Sequence, residues 1–366
     1  MRIIDRYILR QVIVTTLFAV VALSAVLVVG NILQRLLNLL VNRDIPLEEA
    51  LKFIGYLLPF SLTFTIPWGF LTAVLLVIGR LSADNEVTAL RSLGFSMQRL
   101  FLPLLGLGVL LSGVSFWLNG YLAPHAQGEL VKLPFNLATK TPGVLFESDH
   151  VITEFPGRKI YVGRKEKDGS LSNVTVFETE NGQPIRIIFA KRGILRPDPV
   201  AMQLVLVLQQ SQIEEWTKPG DPRSVRAGIT IEDADAVVPL DELYERAHKK
   251  GGVGTMEMPE LQIALHSPET ENVSVVRTEI NRRISISLGC LAFALVAIPL
   301  GITAQRKETS IGFGISLMVA FTYFIFIIAA DNFRENAAMM PHLLVWIPNA
   351  LFLTIGALMF WRLCRK

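Results

Sequence analysis

Cysteine is almost absent from this 366-residue chain: only Cys290 and Cys364 occur, both in or beside apolar stretches. A disulfide framework is excluded, and the long polar middle of the chain, which has no cysteine, must be held by its own core. No lysine- or arginine-rich block is present, so the electrostatic footprint of a nucleic-acid binder is missing. No G-x-x-x-x-G-K-S/T occurs, and with it goes a Walker-type ATP site on this chain. No G-x-S-x-G elbow is found either. His125, His150, His248, His266 and His342 are scattered without metal-ligand spacing, which argues against metal catalysis. No enzyme active site is visible, and no cofactor is expected.

What the chain does have is apolar length. It is 51% hydrophobic with a mean hydropathy of +0.44, well above a soluble norm. The apolar runs are Val12–Leu33, Leu57–Ile78, Leu100–Tyr121, Ile284–Ile302, Ile311–Ala330 and Leu343–Trp361. Each is near the roughly 20 residues that cross a bilayer as a helix. The layout predicts an α-helical membrane protein of six transmembrane helices, with an extracytoplasmic all-β domain inserted between helices three and four. The expected divisions are 1–121 (three helices), 122–281 (the polar insert and its helical lead-in) and 282–366 (three more). Arg2, Arg6 and Arg10 before an apolar run also fit a signal peptide. That run continues past Val29 without an A-x-A site, so the segment is read as a retained helix.

Basic residues in the short flanks set the orientation. Arg2, Arg6, Arg10, Arg80, Arg91, Arg99, Arg306, Lys307, Arg362, Arg365 and Lys366 collect on one side; Arg35, Arg43, Lys52 and Arg334 lie on the other. Both termini are therefore expected in the cytoplasm and the insert outside it. In a bacterial cell that is the periplasm, where the sequons at Asn173 and Asn272 carry no meaning. The spans hold few ionisable groups; Glu279, Arg282, Arg283 and Asp331 fall at outer edges. Proton- or ion-coupled pumping, which uses charges near the bilayer centre, is disfavoured.

Within the insert, Lys159–Val162, Asn173–Glu178, Pro184–Phe189 and Met202–Gln209 read as strands, punctuated by Asp168-Gly169 and Asn181-Gly182. The run Leu204–Leu208 is apolar on both faces. It is either a strand buried between two layers or a strand with one face lining a groove for acyl chains. Leu240–Lys250 reads as a short charged helix and Gly251-Gly252-Val253-Gly254 as a flexible break. Met258–Leu265 and Val275–Arg283 read as helical lead-ins to span four. The Gly106-Leu107-Gly108 and Gly113 cluster in span three reads as close helix packing.

The cytoplasmic loop Arg80–Arg99 predicts a short amphipathic helix over about 82–94. Ser82 or Asp84 is the expected N-cap, Val87, Leu90 and Leu93 recur at helical spacing, and Gly94 is the stop. It is either an interfacial connector or a docking helix for a cytoplasmic motor. In the second reading Val87 and Leu90 fill a partner's groove and Glu86 meets a basic residue.

The run Ser82–Ser96 resembles the coupling-helix segment of the LptF/LptG (YjgP/YjgQ) lipopolysaccharide export permeases. Asp5-Arg6-Tyr7-Ile8, Asp44-Ile45-Pro46, Arg277–Ile284 and Ile298-Pro299-Leu300-Gly301 agree in order and spacing, and the lead-in at Arg277–Arg283 leans toward the F-like branch. The resemblance implies a permease subunit that extracts lipopolysaccharide from the inner membrane and passes it through a periplasmic β-jellyroll. It implies an LptB-like cytoplasmic ATPase dimer, a paralogous LptG/LptF-like six-helix permease or a second copy of itself, and a bitopic LptC-like jellyroll protein. On it, Glu86 matches the acidic coupling residue, with Val87, Leu90 and Arg91 beside it. Arg35 falls where basic residues approach lipid A phosphates, although Asn31 and Gln34 stand where a second basic residue is common. Phe321, Phe324 and Phe326 fall on a gate helix, while Leu204, Leu206 and Leu208 are the substrate candidates of the groove reading of their strand. A permease for another cargo, such as a lipoprotein or peptide, and a non-transporting periplasmic scaffold are the other readings.

Overall fold

A computed structural model describes residues 3–35, 47–140, 148–152, 157–166, 169–180, 183–198, 203–216, 225–239, 252–268, 270, 272–304 and 309–365. The helices are α1 (Ile3–Arg35), α2 (Leu47–Ala83), α3 (Glu86–Ser92), α4 (Met97–Trp117), α5 (Ala123–Lys140), α6 (Met258–His266), α7 (Val273–Ala304), α8 (Thr309–Asn332), the single turn α9 (Pro341–Leu344) and α10 (Ile347–Arg365). The strands are β1 (His150–Ile152), β2 (Arg158–Lys165), β3 (Leu171–Glu180), β4 (Gln183–Asp198), β5 (Gln203–Trp216) and β6 (Val225–Pro239). Among the described residues six helices are long and apolar enough to cross a membrane: Ile3–Gly30, Leu51–Ala83, Met97–Leu133, Val273–Thr303, Gly312–Asn332 and Ile347–Arg365.

These spans overlap the apolar runs and differ from them at the ends. The third does not stop at Tyr121. A π-helical turn, Leu118–Leu122, carries it into α5, and Pro124 lies just beyond that turn within the continuous helix. The lead-in Val275–Arg283 is continuous with span four as α7. Span six begins at Ile347, because Pro341–Leu344 forms a separate turn and Pro348 opens the longer helix. The charged segment Leu240–Lys250 and the Asp44-Ile45-Pro46 stretch lie outside the described residues.

The chain divides into two compact units, one of Met1–Gly30, Ile54–Gln127 and Val253–Lys366, the other of Asn31–Phe53 and Gly128–Gly252. In the first, Phe70, Phe101, Phe293 and Tyr323 are fully buried and join one apolar cluster. Of the small residues in span three, only Gly108 marks a close approach: a Cβ there would lie 3.4 Å from Ala294 Cβ. Gly106 and Gly113 have nothing within 4 Å. The packing expected of all three thus holds for one, because only that one faces α7.

In the second unit the six strands form a single antiparallel sheet in the order β1-β2-β3-β4-β5-β6. The strands exceed the sequence expectation; β4 runs 16 residues and β5 runs 14. Pairing of β3 with β4 reaches Glu180↔Gln183, the register that a two-residue Asn181-Gly182 connection dictates. Gly169 has φ +82°, as the turn at Asp168-Gly169 requires. Ile160, Val162, Leu171, Val174, Val176, Leu206 and Leu208 are all at most 1% exposed and share one cluster with members from every strand. The sheet thus encloses its own apolar face.

A transverse crease shapes that face. Between the pairs Val174↔Ala190 and Ser172↔Arg192, Asn173 and Lys191 stand opposite each other unpaired. The same row continues to Gln210, between Ala190↔Ser211 and Arg192↔Gln209, and to Glu232, between Ser211↔Ile231 and Gln209↔Asp233. On its other side it reaches Gly163. Inward residues on either side of the row are three apart (Leu171 and Val174, Ala190 and Gly193, Leu208 and Ser211), where a regular strand would space them by two. Each strand spends one extra residue at the row, so neighbouring strands bend together instead of one bulging against the next.

Candidate functional site

Helix α3 is reached through an abrupt turn. Helix α2 ends at Ala83, and Asn85 takes a left-handed conformation (φ 60°) before Glu86. Neither Ser82 nor Asp84 is the N-cap: Asn85 holds that position without a side-chain cap bond, while Ser82 Oγ donates to the Ile302 carbonyl at 3.1 Å. The backbone does the work instead, with Ala89 N–H donating to the Asn85 carbonyl at 2.9 Å. At the other end Gly94, φ +83°, closes the helix. Its N–H donates to Arg91 O and that of Phe95 to Leu90 O, the paired bonds of a Schellman cap.

The helix is amphipathic, and its apolar side faces its own fold. Val87 is 6% exposed and belongs to the helical unit's core, with Leu90 packed against it. Val87 is thereby turned toward its own fold. The apolar residue left outward is Leu93, 74% exposed. Glu86 is half-buried and Arg91 exposed. Behind α3 lies an apolar pocket of about 300 Å³, walled by Tyr7 and Ile8 of α1, Val87 and Leu90, and Phe101 of α4, with Glu86 on its lining. An apolar wall beside one carboxylate suits an apolar side chain with a cationic neighbour.

The residues expected to meet lipid are spread along the chain. Helix α1 ends at Arg35, whose side chain, like that of Leu204, lies outside the described residues. Phe321 is exposed; Phe324, one turn on, is half-buried with its ring 5.6 Å from Phe64 and from Tyr323. Phe326 is half-buried. Leu206 and Leu208 are both fully buried in the sheet's inner cluster, and Val205 and Val207 on the opposite face are half-buried. Pairing register puts Arg158, Glu178, Arg186 and Glu215 on that same inner face, one row beyond Ile160, Val176, Ile188 and Ile213. They form a ladder of ion pairs at 3.0, 3.7 and 3.2 Å, which ends the apolar surface in charge.

Sequence reasoning did not find two arrangements in the helical unit. Asn349, 1% exposed, donates to Ser285 O at 2.7 Å and Ser285 Oγ at 2.8 Å; the Tyr323 hydroxyl lies 3.0 Å from Ser285 O and 3.2 Å from Asn349 Oδ1. This ties α7, α8 and α10 together away from water. Its members are unremarkable polar residues in separate apolar runs, with no periodic signal. The second is the carboxylate of Glu279, which accepts from Arg282 Nε and Nη2 (2.9 and 2.8 Å) and from Arg283 Nε (2.7 Å). These charges lie near one end of span four, where Glu279 is 7% and Arg283 3% exposed. Arg283 also donates to Met256 O (2.7 Å), Gly254 O (3.0 Å) and Val253 O (3.2 Å). The expected flexible break is thus a helical turn over 252–255.

Among the described residues no group of three His, Cys, Asp or Glu could hold a metal ion. The pattern of a membrane-helix bundle with a packed connecting helix and a separate β-sheet unit has relatives. The lipopolysaccharide export system permease LptF/LptG family model matches residues 6–362. The lipopolysaccharide export system permease proteins LptF of Escherichia coli K12 and of Shigella flexneri are each 20% identical to this chain, over 97% of it and 93% of their own length. A match across nearly the whole chain, over six candidate spans and the β sheet alike, places this protein in the LptF/LptG family of lipopolysaccharide export system permeases.

Proposed function

We propose that this chain is the permease subunit of an ABC-type exporter in the bacterial inner membrane. It withdraws lipopolysaccharide from the membrane and passes it to a periplasmic β-jellyroll bridge, while a separate cytoplasmic ATPase dimer hydrolyses ATP. Both termini and α3 face the cytoplasm, and the β unit, a jellyroll in this reading, lies in the periplasm. The partners are the LptB-like ATPase, a paralogous permease or a second copy, and an LptC-like bitopic protein.

The observation that carries the reading is helix α3. Its inward side is anchored by Val87 and Leu90, and its outward side offers Glu86, Arg91 and Leu93. A lever must be rigidly seated on the helices it moves, and the buried anchor and the capped end supply that seat. Arg35 at the end of α1 would meet lipid phosphates, Phe321 and Phe324 acyl chains at the gate, and Leu204, Leu206 and Leu208 acyl chains on the inner face of the sheet.

Copurification tests the first half. The detergent-purified complex should contain an ATPase subunit, and its repeated absence would sink the transport reading in favour of a scaffold. A photo-crosslinker at Leu206 tests the second. Adducts with lipopolysaccharide are expected during ATP turnover, and adducts with a lipoprotein or peptide instead would reassign the cargo.

A further inference from the structure

The glycine run at 251–254 has no part in the transport scheme above, yet the fold treats it with care. The boundary between the two compact units falls between Gly252 and Val253. Gly252 has φ +47°, a conformation that side chains with a Cβ resist. Directly after it, the carbonyls of Val253, Gly254 and Met256 all accept from the single guanidinium of Arg283 on α7. That guanidinium is oriented by Glu279, one turn earlier on the same helix.

The outgoing connection is gathered at the same place. Gln127 is the last residue of the helical unit's second segment, Ile54–Gln127. A Cβ on Gly254 would lie 3.4 Å from Gln127 Oε1, and Gln127, Gly254, Glu279 and Arg283 line one narrow crevice. Just beyond, the Glu257–Glu260 capping box starts α6, and Met258, Leu261 and Val276 pack α6 on α7.

We propose that Arg283 is a positioning residue for transport: a latch that fixes the turn at 253–256, and with it α6, to α7, so that α6 follows the movement of α7. Apolar contacts between helices can slide by fractions of a turn, whereas a planar fork held on three carbonyls and one carboxylate permits little sliding. The fork therefore holds α6 to α7 as one piece where apolar contacts alone would slide. The inference rests on the transport reading for its purpose, but not for its geometry.

The test uses the full exporter complex in proteoliposomes containing lipopolysaccharide, with lipid transferred per ATP hydrolysed as the readout. In Arg283→Lys, which keeps the charge and loses the fork, ATP hydrolysis should continue at close to the unaltered rate. Lipid per ATP should fall by about fivefold or more, the low end of ordinary coupling between sites. Val276→Ala, which loosens the α6–α7 packing and leaves the fork in place, should keep the ratio. An unchanged ratio in Arg283→Lys, or an equal fall in Val276→Ala, overturns the latch. If Arg283→Lys does not assemble, Glu279→Gln keeps the guanidinium and weakens its orientation; it should lower the ratio, and no change there overturns the proposal. Hydrogen exchange at the amides of 253–261 separates the two hypotheses. It should rise in Arg283→Lys whatever the cargo, so unchanged exchange rejects the latch, while a wild-type complex that moves no lipopolysaccharide rejects the transport reading alone.

Discussion

Asn173 and Gln210, on β3 and β5, stand in the same transverse row of the sheet and share the same left-handed backbone, φ 54° and 53°. Lys191 of β4 lies between them in that row. Two strands that do not touch have adopted one conformation at one level, which marks the crease as a property of the sheet and not of either strand. Because the inward set of side chains shifts by one residue there, Leu206 and Leu208 share one buried cluster with Val174 and Val176.

Gly163 completes the row on β2, and its place has no room for a side chain: a Cβ would sit 2.9 Å from Asn173 Cβ. Gly163→Ala should destabilise the β unit by about 1–3 kcal/mol, the usual range for overpacking. Thermal unfolding of the purified chain, followed by the β-sheet signal in circular dichroism, checks this.

The two left-handed residues should respond unequally to glycine. Asn tolerates that conformation better than Gln, so Gln210→Gly should raise stability by up to about 1 kcal/mol. Asn173→Gly should change it less. A β-branched Gln210→Val should lower it, and a ranking with Val above Gly in denaturant melts would remove the crease as a strained feature.

On α3, seating and docking are carried by different residues. Val87→Ala should loosen the helix from the bundle at a loss of about 1–3 kcal/mol, read as earlier proteolysis at Arg91. Glu86→Ala and Leu93→Ser should leave stability and membrane insertion unchanged and weaken ATPase capture. Normal capture and export in both would withdraw the docking role.

Asn349 holds α7 and α10 by two hydrogen bonds to Ser285. Asn349→Ala removes both bonds to Ser285 and the Oδ1 beside the Tyr323 hydroxyl, and should cost about 1–3 kcal/mol. The melting temperature in detergent reports it. Asn349→Asp should be worse, since a buried charge without a partner adds desolvation to the lost donor.

Much of the architecture was legible because the signals are local. Twenty apolar residues in a row and an Asn-Gly between two β-branched runs each state their structure within one window. The stop at Gly94 was also legible, since left-handed backbone and glycine go together. The N-cap of α3 was not: Ser82 spends its hydroxyl on Ile302, 220 positions away, and no local pattern reports that. Val87 was legible as apolar and periodic, but periodicity does not say whether the apolar side faces a partner or the chain's own core.

The chain's composition and order alone determined six candidate spans and a separate β-rich segment, and no Walker motif occurs in that order. Hydropathy and turn chemistry are short-range, so they survive without the fold. Only the tertiary structure decided that Leu93 and not Val87 faces outward, that a glycine run is clasped by Arg283, and that five strands crease on one row. Each of these depends on which distant residue arrives alongside, and that is set by packing.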